Sequence, residues 1–203
     1  FDEACRIAAQ FSPQDAPEIG RRHYGTRRET VNELTVTRCM QVSQPQFLLG
    51  FKDIPLEPDE SRLRRSLLGE LAVRILCGDN SPLYASLYEK RLIGRDFDTD
   101  YTVIPEGAAA ILGGEQEVAR LAHEGADHAL FSRMKKAVYG LHLRVLDAPE
   151  SYARQEVGAL FAGEHYLDFA ALFDTISPDD VQAMFARWAR RDRSSLSVVE
   201  PQQ

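Results

Sequence analysis

The chain has 203 residues, 44% of them hydrophobic, which is enough to bury one substantial core and points to a single domain over 1–203. Its 24 basic residues against 31 acidic ones leave a net charge of −7, which argues against a surface built to hold nucleic-acid phosphates. No apolar run approaches the roughly 20 residues that span a bilayer, so no membrane role is expected.

The opening FDEACRIAAQF is too acidic and too broken for a secretory signal, so a cytoplasmic location is expected, although a start at Phe1 suggests trimming. Residues 1–29 read as a leading helix and an irregular connector punctuated by Pro13, Pro17, Gly20 and Gly25. The three cysteines, Cys5, Cys39 and Cys77, match no zinc or disulfide framework and read as buried or inert thiols in a reducing compartment.

Alternation over 34–42 predicts a half-buried strand, and after Pro45 the run FLLGFK over 47–52 predicts a second, more deeply buried one. The acidic loop DIPLEPDE leads to caps at Asp59 or Ser61. Leu63, Leu67, Leu71 and Ile75, beside Leu68, Ala72 and Leu76, then mark an amphipathic helix, with Gly78 supplying a left-handed end. Ser81 before Pro82 caps a second helix running through Arg91. FDTDYTVI and AAAILGG, joined by a turn at 105–107, predict an antiparallel pair.

From 117 to 146 the pattern is helical and divided near Gly125, with Leu121, Met134, Ala137, Val138, Leu141 and Val145 facing inward. DAPE starts another helix and Gly163 stops it, and a short helix covers 166–173. In ISPDDV, Ser177 caps, Pro178 takes the first helical position, and Asp180 completes a capping box before Val181, Met184, Phe185 and Trp188. SLSVVEP forms the last strand. Clustered strands separated by runs of helices predict an α+β, two-layer domain, its largely antiparallel sheet covered on one face by helices.

The chemistry-bearing residues form no catalytic pattern. His123-Glu124 and Asp127-His128 resemble helical zinc motifs, but two histidines five apart lie about 140° around a helix and do not share a metal readily. His23, His142 and His165 stand isolated, and no nucleophile elbow or phosphate loop occurs. Arg62, Arg64, Arg65 and the basic run from Arg187 to Arg193 read as solvated helical faces. No catalytic or metal residue is assigned in this chain.

The order of PQFLLGFK, a helix, GDNSPLYASLYEKRLI and FDTDY, continued by RMKKAVYGLHLRVLDAPESYA, FAGEHYLD, ISPDDVQAMFARW and SLSVVEP, resembles the C-terminal half of pitrilysin/insulinase-type zinc peptidases over about 30–201. The resemblance extends to the processing-peptidase-like domains of that family. It implies a non-catalytic domain facing a homologous zinc-bearing one, in the same chain or a partner subunit, across a chamber that holds peptide. Zinc would belong to the companion's H-x-x-E-H motif, with no cofactor here, and a homodimer is also open to such a chain. The other reading is an accessory pseudopeptidase module acting only as a binding or assembly scaffold.

Where the family often has L-R-E-K-R-G-L-A-Y, with Arg and Tyr reaching the peptide, this chain has L-Y-E-K-R-L-I-G-R over 87–95. Tyr88 stands for the Arg and Arg95 for the Tyr, while Glu89, Lys90 and Arg91 agree. Tyr88, Arg91 and Arg95 are therefore the expected substrate-binding residues. The segment also resembles a bacterial subgroup, of processing-protease type, that reads L-Y-E-x-G-L-I.

Overall fold

The computed structural model describes residues 2–11, 28–94, 97–104, 107–112 and 115–202. Five strands, β1 (Thr35–Met40), β2 (Gln46–Asp53), β3 (Asp100–Ile104), β4 (Gly107–Leu112) and β5 (Ser194–Pro201), form one sheet in the order β1-β5-β2-β4-β3. Three neighbouring pairs are antiparallel. The last strand enters between the first two and runs parallel to β1, with Thr35 opposite Leu196.

The run FLLGFK does become the central strand. In β2, Leu49, Phe51 and Asp53 alternate inward and are all buried. The first strand departs from expectation. It sits at the sheet edge, and only Val36 is half-buried.

Helices α1 (Asp2–Phe11), α2 (Arg62–Cys77), α3 (Pro82–Glu89), α4 (Glu115–Glu124), α5 (His128–Leu146), α6 (Pro149–Leu160), α7 (Phe169–Asp174) and α8 (Pro178–Trp188) supply the second layer of this α+β fold. No residue of α1 is buried. Helix α2 is central. It buries residues on nearly every side, from Leu67 and Leu68 to Leu76 and Cys77, because α5, α7 and α8 surround it along with β3.

Trp188 ends α8 fully buried, stacked on Phe51 at 6.2 Å and beside Tyr101 at 5.9 Å, and so locks α8 to the sheet. The start of α8 follows its sequence signature. Ser177 Oγ accepts the Asp180 N–H, and Asp180 returns a bond from the Ser177 N–H at 2.8 Å.

Three expectations about the helices change. Gly78 is extended (φ −65°, ψ 158°), not left-handed. Glycine is needed there because a Cβ would lie 2.6 Å from the Arg74 carbonyl oxygen. Ala137 is exposed, since Leu130, Phe131, Met134 and Val138 form the buried stripe of α5 and Ala137 lies off it. The short helix over 166–173 is a 3₁₀ turn (Tyr166–Asp168) followed by α7. Gly125, at φ 75°, divides α4 from α5 as its position suggested.

Candidate functional site

The segment expected to meet substrate lies at the end of α3. Ser81 is buried and its Oγ caps the Tyr84 N–H, Pro82 opens the helix, and Tyr88 stacks on Tyr84 at 6.1 Å. Beyond Lys90 the chain reverses at Arg91, whose φ is 57°. The Leu92 N–H reaches back to the Leu87 carbonyl and the Arg91 N–H to the Tyr88 carbonyl, both at 2.9 Å. This is a Schellman ending with arginine in the left-handed position that favours glycine.

In the pattern L-Y-E-x-G-L-I, the glycine falls on Arg91. Its backbone thus does the work of that glycine, while its side chain is exposed beside Tyr88 at the rim of a shallow depression. Arg95 lies outside the described residues.

A larger cavity, of about 530 Å³, opens between α2, α5, α6 and the segment leading into β3. Its floor is a chain of hydrogen bonds. Tyr166 Oη lies 2.7 Å from His142 Nδ1, and His142 Nε2 lies 3.0 Å from Glu70 Oε2. Glu70 Oε1 accepts from Arg74 Nε at 3.3 Å.

Burial opposes ionisation of Glu70, yet His142 and Arg74 outweigh it and hold the carboxyl below its ordinary range. Burial, with the Glu70 charge, pushes the Tyr166 phenol up to about 12. Sequence spacing left His142 and His165 isolated, but both have partners. His165 Nδ1 sits 2.9 Å from Glu156 Oε1, whose hydrogen bond and charge raise the histidine pKa, and Glu156 Oε2 accepts the Tyr166 N–H.

The arginines read as solvated faces are largely tied into the fold. Arg65 is 4% exposed and grips Glu60 through two 2.6 Å bonds while reaching Asp53 at 3.4 Å. Arg187 donates to Asp53 Oδ1 at 2.8 Å and Tyr101 Oη to Asp53 Oδ2 at 2.8 Å. Arg62 covers the Val103 carbonyl of β3, and Arg64 pairs with Asp180 at 3.1 Å. Against the pull of burial, Arg187, the Ile54 N–H and Tyr101 hold the Asp53 carboxyl below its usual range. The signal for this cluster was present in β2, where an acid follows Leu49 and Phe51 on the inward register.

Among the described residues, no group of three or more His, Cys, Asp or Glu side chains is placed to hold a metal ion. His123 lies in the last turn of α4 and His128 opens α5, both exposed, and Gln182 donates to the His123 carbonyl at 3.2 Å. His23 lies outside the described residues. Cys5 and Cys39 are exposed and only Cys77 is buried, so burial does not account for the first two thiols. No helix among the described residues is long and apolar enough to cross a membrane.

No family model matches the chain. It is 29% identical over 201 residues to an uncharacterized zinc protease, YmfH, of Bacillus subtilis (strain 168), covering 92% of this chain and 46% of that protein. It superposes on a protein described as an M16-like peptidase from Alicyclobacillus acidocaldarius with a TM-score of 0.89 at 21% identity, covering 99% of this chain and 52% of the other. A peptidase M16 inactive domain from Pseudomonas fluorescens matches all of this chain (TM-score 0.70, 16% identity) over 51% of its own length.

The fold is therefore that of M16-like peptidase domains. That fold, and the similarity to a protein named as a zinc protease, agree with the resemblance to pitrilysin/insulinase-type peptidases read from the sequence. The chain spans about half the length of the relatives it matches.

Proposed function

We propose that this chain is the non-catalytic half of a zinc endopeptidase, one module over 1–203 with 1–29 as leading helix and connector. It forms one wall of a proteolytic chamber and helps to hold peptide, while a homologous companion, in the same chain or a partner subunit, carries zinc and cleaves the bond. The observation that carries this reading is the full-length match of the chain to about half of a protein described as an M16-like peptidase, at a TM-score of 0.89. The match to an inactive M16 domain supports the same assignment.

Tyr88, Arg91 and Arg95 are the proposed peptide contacts. The exposed Tyr88 ring and Arg91, at the end of a well-capped helix, would offer hydrogen bonds to a peptide backbone. A cytoplasmic setting is part of the same proposal, on the ground that the cysteine spacing matches no disulfide framework.

The test compares the purified chain alone with the chain mixed with a homologous domain bearing H-x-x-E-H. Alone it should hold less than about one-tenth equivalent of zinc and hydrolyse no peptide, because true zinc sites bind tightly. Mixed, it should raise hydrolysis by the companion, and Tyr88→Ala with Arg95→Ala should lower that gain without changing zinc content. Stoichiometric zinc and hydrolysis in the isolated chain would overturn the proposal. Stable binding to the companion without any gain in hydrolysis would favour the scaffold reading.

A further inference from the structure

The cavity above Glu70, His142 and Tyr166 is not needed for a chamber wall, and its construction is specific. Its volume of about 530 Å³ falls in the range of roughly 300–1,000 Å³ typical of ligand sites. Its walls come from segments far apart in sequence: α2, the approach to β3, α5, and the stretch from α6 to Tyr166. We propose that this cavity binds the ammonium or guanidinium head of a basic side chain presented by a peptide.

Charge selects that ligand class. Among the described residues, five carboxylates line the cavity, Glu70, Asp79, Asp98, Asp100 and Glu164, against two guanidinium groups, those of Arg62 and Arg74. Both arginines are engaged, Arg62 on the Val103 carbonyl at 3.0 Å and Arg74 on Glu70 at 3.3 Å. An incoming anion would meet an excess of negative charge among the described lining residues.

The hydrogen-bond chain prepares the floor. With Nδ1 on the Tyr166 hydroxyl and Nε2 on Glu70, the His142 ring fixes the carboxylate in place. A carboxylate has about four acceptor sites, and the bonds from His142 and Arg74 leave room for a further donor at the cavity. The Glu70 side chain is 33% exposed and that of His142 15%, so a ligand reaches the one while the other stays shielded. A half-buried polar floor stabilises a fold less than apolar packing of the same volume, which fits retention for binding.

The inference does not depend on a companion domain, because the cavity is walled by this chain. The capped tripeptides Ala-Lys-Ala and Ala-Arg-Ala, with the norleucine version as the uncharged control, are titrated into the 203-residue chain and followed by amide NMR. The basic peptides should bind at roughly 1–10 mM, as expected for one small charged group, and shift resonances of α2 and α5 around Glu70 and His142. The norleucine peptide should not. Glu70→Gln should weaken binding about tenfold, the scale of one charge-assisted hydrogen bond.

Asp98→Asn gives an independent arm. It keeps the acceptor for the Thr99 N–H while removing a charge, and should weaken binding about two- to threefold. Equal shifts with norleucine, binding of an Ala-Asp-Ala peptide instead, no shift at the highest concentration, or unchanged affinity in folded Glu70→Gln would each overturn the proposal.

Discussion

Helix α2 carries two polar networks five residues apart, at Arg65 and Glu70, and they differ in what remains outside. Around Arg65, the partners Asp53, Glu60, Arg187 and Tyr101 close on one another, and the Asp53 side chain has no exposed surface. Around Glu70, the partners His142, Tyr166 and Arg74 line an open cavity. The first network has spent its hydrogen-bonding capacity inside the fold and reads as architecture. The second keeps a carboxylate within reach of solvent and reads as a site.

Removing the anion from the closed network should have the largest effect. Asp53→Ala leaves the buried Arg65 with Glu60 alone and the partly exposed Arg187 without a counter-charge, and should cost about 3–5 kcal/mol in urea unfolding. A loss under about 1 kcal/mol would mean that water enters the cluster and that the contrast is wrong.

Acid should act next, through the same residue. The folded-state pKa of Asp53 lies below its ordinary 3.8, so its contribution is fully present above that value and is lost as pH falls through the lower folded pKa. Glu70 adds the same sign below its ordinary 4.5. Stability measured from pH 6 downward should hold until about pH 4.5 and then fall. The penalty of Asp53→Ala should shrink over that same interval.

The open network should yield least. His142→Phe should cost about 1 kcal/mol or less, because solvent in the cavity can serve Glu70 and Tyr166 in place of the imidazole. A loss comparable to that of Asp53→Ala would show that the cavity floor is as structural as the buried cluster.

Much of the architecture was legible because its signals are local. Ser177, Pro178 and Asp180 spell a helix start within four residues, and Gly125 and Gly163 mark breaks at positive φ. What escaped depends on pairing across distance. Arg65 and Arg187 looked solvated because their common partner, Asp53, stands 12 and 134 residues away, and only the inward register of β2 hinted at it. Likewise His142 finds Glu70 across 72 residues.

Gly69 is a quieter case. A glycine inside a helix normally weakens it by about 0.5–1 kcal/mol. Here a Cβ would lie 1.9 Å from the Tyr101 ring, so its absence lets β3 send that ring under α2 to Asp53. Arg91 shows the reverse pairing of side chain and backbone. It matched a family motif by side chain, yet its left-handed backbone matches the glycine of the subgroup pattern.

The place of β5 between β1 and β2 has a consequence for how the molecule is made. Thr35 waits for Leu196, and Leu49 needs Leu196 on its other side, so β1 has no neighbour in the sheet until the last strand emerges. At ribosomal speeds of about 5–20 residues per second, that interval is on the order of ten seconds or more. Over that time the apolar flank of β2 stays open, which makes the nascent chain a natural client for chaperones and a truncated one prone to edge-to-edge association.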